Sequence, residues 1–141
     1  VLVGLTKEQL NSLPDGILGL SKTNSVSELA TLYSCASIYV NPTYSDNFPT
    51  TNLEALACGT PVITYQTGGS PEAIDNKTGI VVSKGDIQGL VSAVRKIKSH
   101  PLSSDDCRSR AVALFDREER FRDYIELYEK LLKESRLGHE I

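Results

Sequence analysis

Apolar residues in this chain fall into short unbroken runs, separated by stretches in which they recur at helical spacing. The runs at 1–4, 17–20, 38–40, 61–64 and 79–82 are three to five residues long and lack polar alternation, as strands buried on both faces do. Between the first two, Pro14, Asp15 and Gly16 carry turn chemistry, and residues 7–13 read as a short helix or excursion. Ser25, Val26, Ser27 and Glu28 fit a capping box, with Leu29, Leu32, Tyr33 and Ala36 following at helical spacing, which predicts a helix over 26–35. Residues 43–49 read as a loop, and the next helix is predicted to open near Thr51 and end before Gly59. Residues 66–69 read as a flexible turn, and Ser70, Pro71 and Glu72 as an N-cap with proline at the first helical position. Asp86 is expected to cap a helix that runs to about Lys98; Pro101 breaks it, and two charged amphipathic helices follow. Short apolar strands alternating with helices predict an α/β domain with a doubly wound parallel sheet. Ligands bind such sheets at the carboxyl ends of strands, where strand order reverses, which singles out the loops at 19–24, 41–50 and 65–70.

Composition narrows the reading. With 40% apolar and 23% charged residues in 141, the chain suits one soluble domain with a core, and wholesale disorder is excluded. No run approaches the roughly 18–20 apolar residues of a spanning helix. The formal charge is −3, and residues 38–76 carry Asp46, Glu54, Glu72 and Asp75 but no Lys or Arg, which excludes a basic nucleic-acid stripe there. Residues 105–136 alternate in sign like a solvated helical surface. Cys35, Cys58 and Cys107 are odd in number, widely spaced and each within a predicted helix, so we expect reduced core thiols in a cytoplasmic protein, with no zinc pattern. The chain opens on Val1, Leu2, Val3 and Gly4 without a leading cap, from which we expect a fragment of a longer protein.

Candidate chemistry concentrates in residues 46–54, between a strand end and a helix start. Orphan N–H groups of such a helix suit an anion such as a diphosphate without a local Lys or Arg. Pro49 forces Phe48 toward extended geometry, and Thr50 and Thr51 set hydroxyls beside those amides. Glu54, expected in the first turn, suits the vicinal hydroxyls of a ribose; equally, Thr51 to Glu54 spells a capping box in which the carboxylate bonds backbone. Asp46 suits a sugar hydroxyl or a developing positive charge, or else forms a turn with Asn47. Gly68 and Gly69 fit an anion nest or simple flexibility. His100 and His139 read as surface residues, and neither fits a catalytic base.

Asp46, seven intervening residues, Glu54, then Ala55, Leu56, Ala57, Cys58, Gly59, Thr60, Pro61 and Val62, with Gly68, Gly69, Ser70, Pro71 and Glu72 behind, form a long ordered pattern. It resembles the retaining, nucleotide-sugar-dependent glycosyltransferases of family 4, which have the GT-B fold. The likeness extends back through Glu28, Leu29, Tyr33, Ala36 and the Tyr39–Asn41, Pro42 strand end, and forward through Gly79–Val82.

The resemblance implies a Rossmann-like C-terminal donor-binding domain over 1–141, with the N-terminal acceptor domain and the first part of this domain absent. It implies that Glu54 holds the ribose hydroxyls, Asp46 faces the transferred sugar as the catalytic residue, and Asn47, Phe48, Pro49, Thr50 and Thr51 line the sugar or diphosphate. Gly19 and Leu20 would lie beside the base. The family commonly has Glu where this chain has Asp46, and its diphosphate-binding Arg and Lys fall upstream of Val1; Lys22 sits in a different loop. The implied reaction is metal- and cofactor-free transfer, with retention, from a nucleoside diphosphate sugar such as a UDP-sugar to a glycan or lipid-linked acceptor. A capsular, exopolysaccharide or lipopolysaccharide setting is expected, with the whole protein cytoplasmic and peripheral to the inner face of the membrane. A GT-B-like nucleotide-sugar 2-epimerase, a two-carboxylate hydrolase and a non-enzymatic nucleotide-binding module are the alternatives.

Overall fold

The computed structural model describes residues 1–137; His139 lies outside the described residues. The elements are β1 (Leu2–Val3), α1 (Lys7–Asn11), β2 (Gly19–Leu20), α2 (Val26–Cys35), β3 (Tyr39–Asn41), α3 (Thr50–Ala57) and β4 (Val62–Tyr65). A 3-10 turn (Ser70–Ala73), β5 (Gly79–Val82), α4 (Ile87–Ser99), α5 (Ser104–Phe115) and α6 (Arg117–Leu137) follow.

Every strand pairing is parallel. β1 lies beside β2, with Leu2 opposite Gly19, while β3, β4 and β5 form a second sheet in which Tyr39, Val62 and Gly79 stand in one row. Among the described residues no ladder joins the two, so the expected sheet is present as two parallel ladders. The physical reason lies in burial. The first buried residue along the chain is Tyr33, and the two-residue strands β1 and β2 have no core beneath them.

β4 organises the domain because its successive side chains point into two cores. Val62 enters one with Tyr33, Ala55, Leu56, Ala73, Ile74, Cys107 and Ala111, under α3 and α5. Ile63 and Tyr65 enter the other with Val82, Ala93 and Ile97, under α4. Helices therefore cover both faces, as the doubly wound reading expects. Each fully buried Val, Leu or Ile contributes about 1.5–3 kcal/mol. β3 is the edge of its sheet and starts one residue later than expected; with β4 on one side only, Val40 stays exposed instead of buried.

Local signals set the helix ends. Ser25 accepts from the Glu28 amide, Asp86 from the Gly89 amide and Ser103 from the Asp106 amide, each satisfying an orphan donor. Glu28 does not close the expected box on Ser25; its carboxylate accepts from the amide of Asn24 at 2.6 Å. Gly59, at φ +80°, ends α3 in the left-handed region that a side chain disfavours. Ser70 lies within the 3-10 turn, after Gly69 as its cap, instead of capping it.

The cysteines divide. Cys107 is buried, and burial pushes its thiol up to about 11; Cys58 is half-buried at the C-cap of α3; Cys35 is exposed, contrary to the expected core thiol. α5 is tied down by arginines: Arg108 donates to the Ala57 carbonyl, and Arg110 donates to Ala73 O and pairs with Asp75 at 2.8 Å. α6 carries the expected solvated pairs Arg120–Asp123 and Arg122–Glu119, yet Phe121, Tyr124, Ile125, Tyr128, Leu131 and Leu132 are exposed along it. Among the described residues no helix is long and apolar enough to cross a membrane.

Burial pushes the Asp75 carboxyl up, but hydrogen bonds from the Thr78 hydroxyl and the Lys77 and Thr78 amides, with the Arg110 guanidinium, hold it below its ordinary value. Its folded pKa is thus below the unfolded value of about 3.9. The stabilisation is complete above that pH and is lost as pH falls through the folded value. Asp75→Asn should melt a few degrees below wild type at pH 6, and the gap should narrow below about pH 4. Thermal melts of both proteins across that range check this.

Candidate functional site

The carboxyl ends of β3 and β4 lead into residues 42–49 and 66–69, and the two loops are joined by hydrogen bonds onto main-chain carbonyls. The Gly69 amide donates to Asn47 O at 2.8 Å, and Thr67 Oγ1 donates to Thr43 O at 3.1 Å. A Cβ on Gly68, at φ +49°, would stand 1.9 Å from Asp46 O, and one on Gly69 2.3 Å from Asn47 O. The glycine pair is therefore present for close approach of two backbones, not as a flexible turn, and the Gly69 amide is already committed.

Asp46 uses Oδ1 to accept from the Phe48 amide at 3.0 Å, an Asx turn, while Oδ2 accepts no hydrogen bond among the described residues. Turn former and exposed carboxylate thus coexist in one side chain. The Phe48 amide is taken up by that turn, whereas the ring of Phe48 stays partly exposed. The Phe48 ring packs edge-on against Phe115 of α5 at 6.0 Å. Asn47 is exposed, and its carbonyl serves Gly69.

Buried Pro49, at φ −68° and ψ 111°, sits at the N-cap of α3, which opens one residue earlier than expected and has no side-chain cap. The Asn52 amide turns back to Pro49 O at 3.1 Å. The Thr50 and Thr51 amides find no acceptor among the described residues, so the positive end of the helix dipole is open there. The earlier start puts Glu54 in the second turn, and no Thr51–Glu54 capping box forms. The half-buried Glu54 carboxylate instead accepts from the hydroxyl of Tyr33 at 3.2 Å. Burial, then the neighbouring Tyr39 and Glu54, push the Tyr33 phenol well above its ordinary value, which keeps it a donor.

Beneath the rim lies a polar network that sequence reasoning missed. Wholly buried Asn52 accepts from Asn41 Nδ2 at 2.9 Å and donates to Ser70 Oγ at 3.0 Å. Ser70 and Thr64 hydroxyls lie 2.6 Å apart, and Thr64 Oγ1 also reaches Asn41 O at 3.0 Å. The network joins β3, β4, α3 and the 3-10 turn. The signal was Asn52 standing one helical turn before Ala55 and Leu56, on the buried face.

Gly19 and Leu20 are not brought to this rim by any hydrogen bond among the described residues. Leu20 O accepts from the Gly4 and Leu5 amides, and a Cβ on Gly19 would meet side chains of Leu13, Leu10 and Leu5. Lys22 is exposed, as is His100, whose Nδ1 lies 3.0 Å from Ser99 Oγ. Two cavities of about 440 and 320 Å³ lie at the opposite, amino ends of the strands, lined by Gly79, Ile97 and His100, and by Ile38, Pro61 and Ile97 respectively. The candidate site is an open rim rather than either cavity. Among the described residues no three His, Cys, Asp or Glu side chains converge as a metal would require.

A parallel sheet covered on both faces, with an uncapped helix and a carboxylate at its carboxyl edge, defines a doubly wound α/β domain, the class whose ligands bind at that edge. The family model described as glycosyl transferases group 1 matches residues 1–100, and the chain belongs to that family. It is 34% identical over 113 residues to D-inositol 3-phosphate glycosyltransferase of Mycolicibacterium paratuberculosis, covering 71% of this chain and 26% of that protein. Sucrose-phosphate synthase from Thermosynechococcus elongatus superposes with a TM-score of 0.78 at 32% identity, over 89% of this chain and 32% of that one. Anabaena HepE, solved in complex with UDP, gives a TM-score of 0.69 at 18% identity, over 80% of this chain and 31% of that one. The chain thus spans about a quarter of the first curated relative. These likenesses place the fold as the Rossmann-like C-terminal half of a GT-B glycosyltransferase.

Asn52→Ala removes the partner of the half-buried Asn41 amide, takes one of two hydrogen bonds from Ser70 Oγ and empties a buried site, and should cost about 1–3 kcal/mol. Urea unfolding monitored by circular dichroism reads this as a lower midpoint with an unchanged slope.

Proposed function

We propose that this chain is the donor-binding part of a retaining glycosyltransferase acting on a nucleoside diphosphate sugar, most simply a UDP-sugar. The observation that carries it is the pairing, on one helix start, of the open Thr50 and Thr51 amides with the half-buried Glu54 carboxylate. Amides suit the diphosphate, and a carboxylate suits two adjacent ribose hydroxyls. Membership of the family, and a fold neighbour solved in complex with UDP, support the choice of nucleotide.

In this reading Thr50 and Thr51 donate to the departing diphosphate as its charge develops, and the acceptor attacks from the face it leaves. The unbonded oxygen of Asp46 steadies the transferred sugar; its shorter side chain reaches one methylene less than Glu. The rim itself has no Lys or Arg between residues 38 and 76, and Arg108 and Arg110 are occupied by carbonyls of Ala57, Ala73 and Glu72. A helix end supplies about half a positive charge against a diphosphate. Lys84, just after β5, lies with Nζ 5.5 Å from the ring of Tyr44 in the rim loop; the reading adds further cationic groups and an acceptor-binding domain from the whole protein, and calls for no metal. A glycan or lipid-linked acceptor, and a polysaccharide-building role at the inner membrane face, belong to the same proposal.

Uridine diphosphate should shift the amide resonances of Thr50, Thr51 and Glu54; shifts confined to residues 105–136 would refute the rim. Glu54→Gln should weaken that binding by about 1.5–3 kcal/mol, the loss of a charged hydrogen bond. Calorimetric titration of both proteins measures the difference, and equal affinities would remove Glu54 from the site.

A further inference from the structure

We infer that Tyr33 is a positioning residue for nucleotide recognition: its hydroxyl holds one oxygen of Glu54 so that the carboxylate is already aimed when a ribose arrives. The inference rests on the ribose-binding reading of Glu54 and adds to it a residue from a different helix. The Tyr33–Glu54 hydrogen bond, 3.2 Å long, is the one the Glu54 carboxylate makes among the described residues, and no salt bridge reaches it. Oε1 is left unbonded, and Oε2 keeps a second lone pair, which is the acceptor capacity a vicinal diol needs.

Tyr33 is itself held on several sides. Its ring is buried and stacks edge-on against Tyr39 at 5.3 Å and 80°, and its carbonyl accepts from the buried Thr60 hydroxyl at 2.6 Å. A glutamate free to rotate loses rotamer entropy when it grips a ligand; one held beforehand by a packed phenol loses less. Among the described residues the donor comes from α2: α3 runs Thr50–Ala57 without a cationic residue, so the carboxylate has no partner on its own helix.

The competing role is a plain tie between α2 and α3, which would affect stability and every ligand alike. The two separate with a pair of probes, uridine diphosphate and its 2′,3′-dideoxy analogue, titrated against the chain and against Tyr33→Phe and Glu54→Gln. The ratio of the two dissociation constants on one sample is insensitive to any loss of folded protein. Wild type should prefer the hydroxylated probe, Glu54→Gln should lose most of that preference, and Tyr33→Phe should lose about 3- to 10-fold of it while binding the dideoxy probe within about twofold of wild type. If Glu54→Gln loses the preference but Tyr33→Phe keeps it, or weakens both probes equally, Tyr33 is structural and the inference is overturned. If wild type shows no preference, or Glu54→Gln retains it in full, the ribose reading has failed and the role of Tyr33 falls with it.

Discussion

The geometry of the rim depends on one buried amide. Asn52 has no exposure to water, and its side chain bridges Asn41 at the end of β3 to Ser70 at the start of the 3-10 turn, with Thr64 of β4 closing the circuit. In a low-dielectric interior an unmet polar group costs more than a met one contributes, so such a circuit tolerates few arrangements. It thereby sets where α3 begins relative to two strand ends. Pro49, buried directly before the helix, denies it a side-chain cap, and the same stretch that is fixed from below is left open above.

That open end is poor in charge. Its positive ends are peptide dipoles, with Lys84 over the Tyr44 ring of the adjoining loop, while Arg108 and Arg110 brace α5 against carbonyls of Ala57, Ala73 and Glu72. The site thus combines a rigid, weakly polarised floor with a single carboxylate held by a phenol. A floor of this kind suits orientation of a ligand more than neutralisation of a strongly anionic one.

Much of the fold was legible because burial on both faces leaves a simple trace. Gly79–Val82 and Val26–Cys35 stand where apolar runs and helical spacing put them. Propensity and spacing failed where tertiary partners decided the outcome. Val40 reads as core, yet its strand is an edge. Ser70 reads as a helix cap, yet its hydroxyl is worth more to Asn52 and Thr64. Thr51 and Glu54 spell a capping box, but Pro49 moves the helix start by one residue and frees the carboxylate for Tyr33, 21 positions away. No local pattern contains that partner. Asp46 was readable both ways, and its two oxygens allow both.

The glycine pair at 68–69 carries a genetic corollary. Its neighbours are carbonyl oxygens of Asp46 and Asn47, which every amino acid possesses, so trimming an adjacent side chain creates no room for a bulkier residue there. Damage at either position is consequently beyond repair by second-site substitution in residues 46–47. A revertant hunt should return the original glycine codons or changes that displace a whole loop.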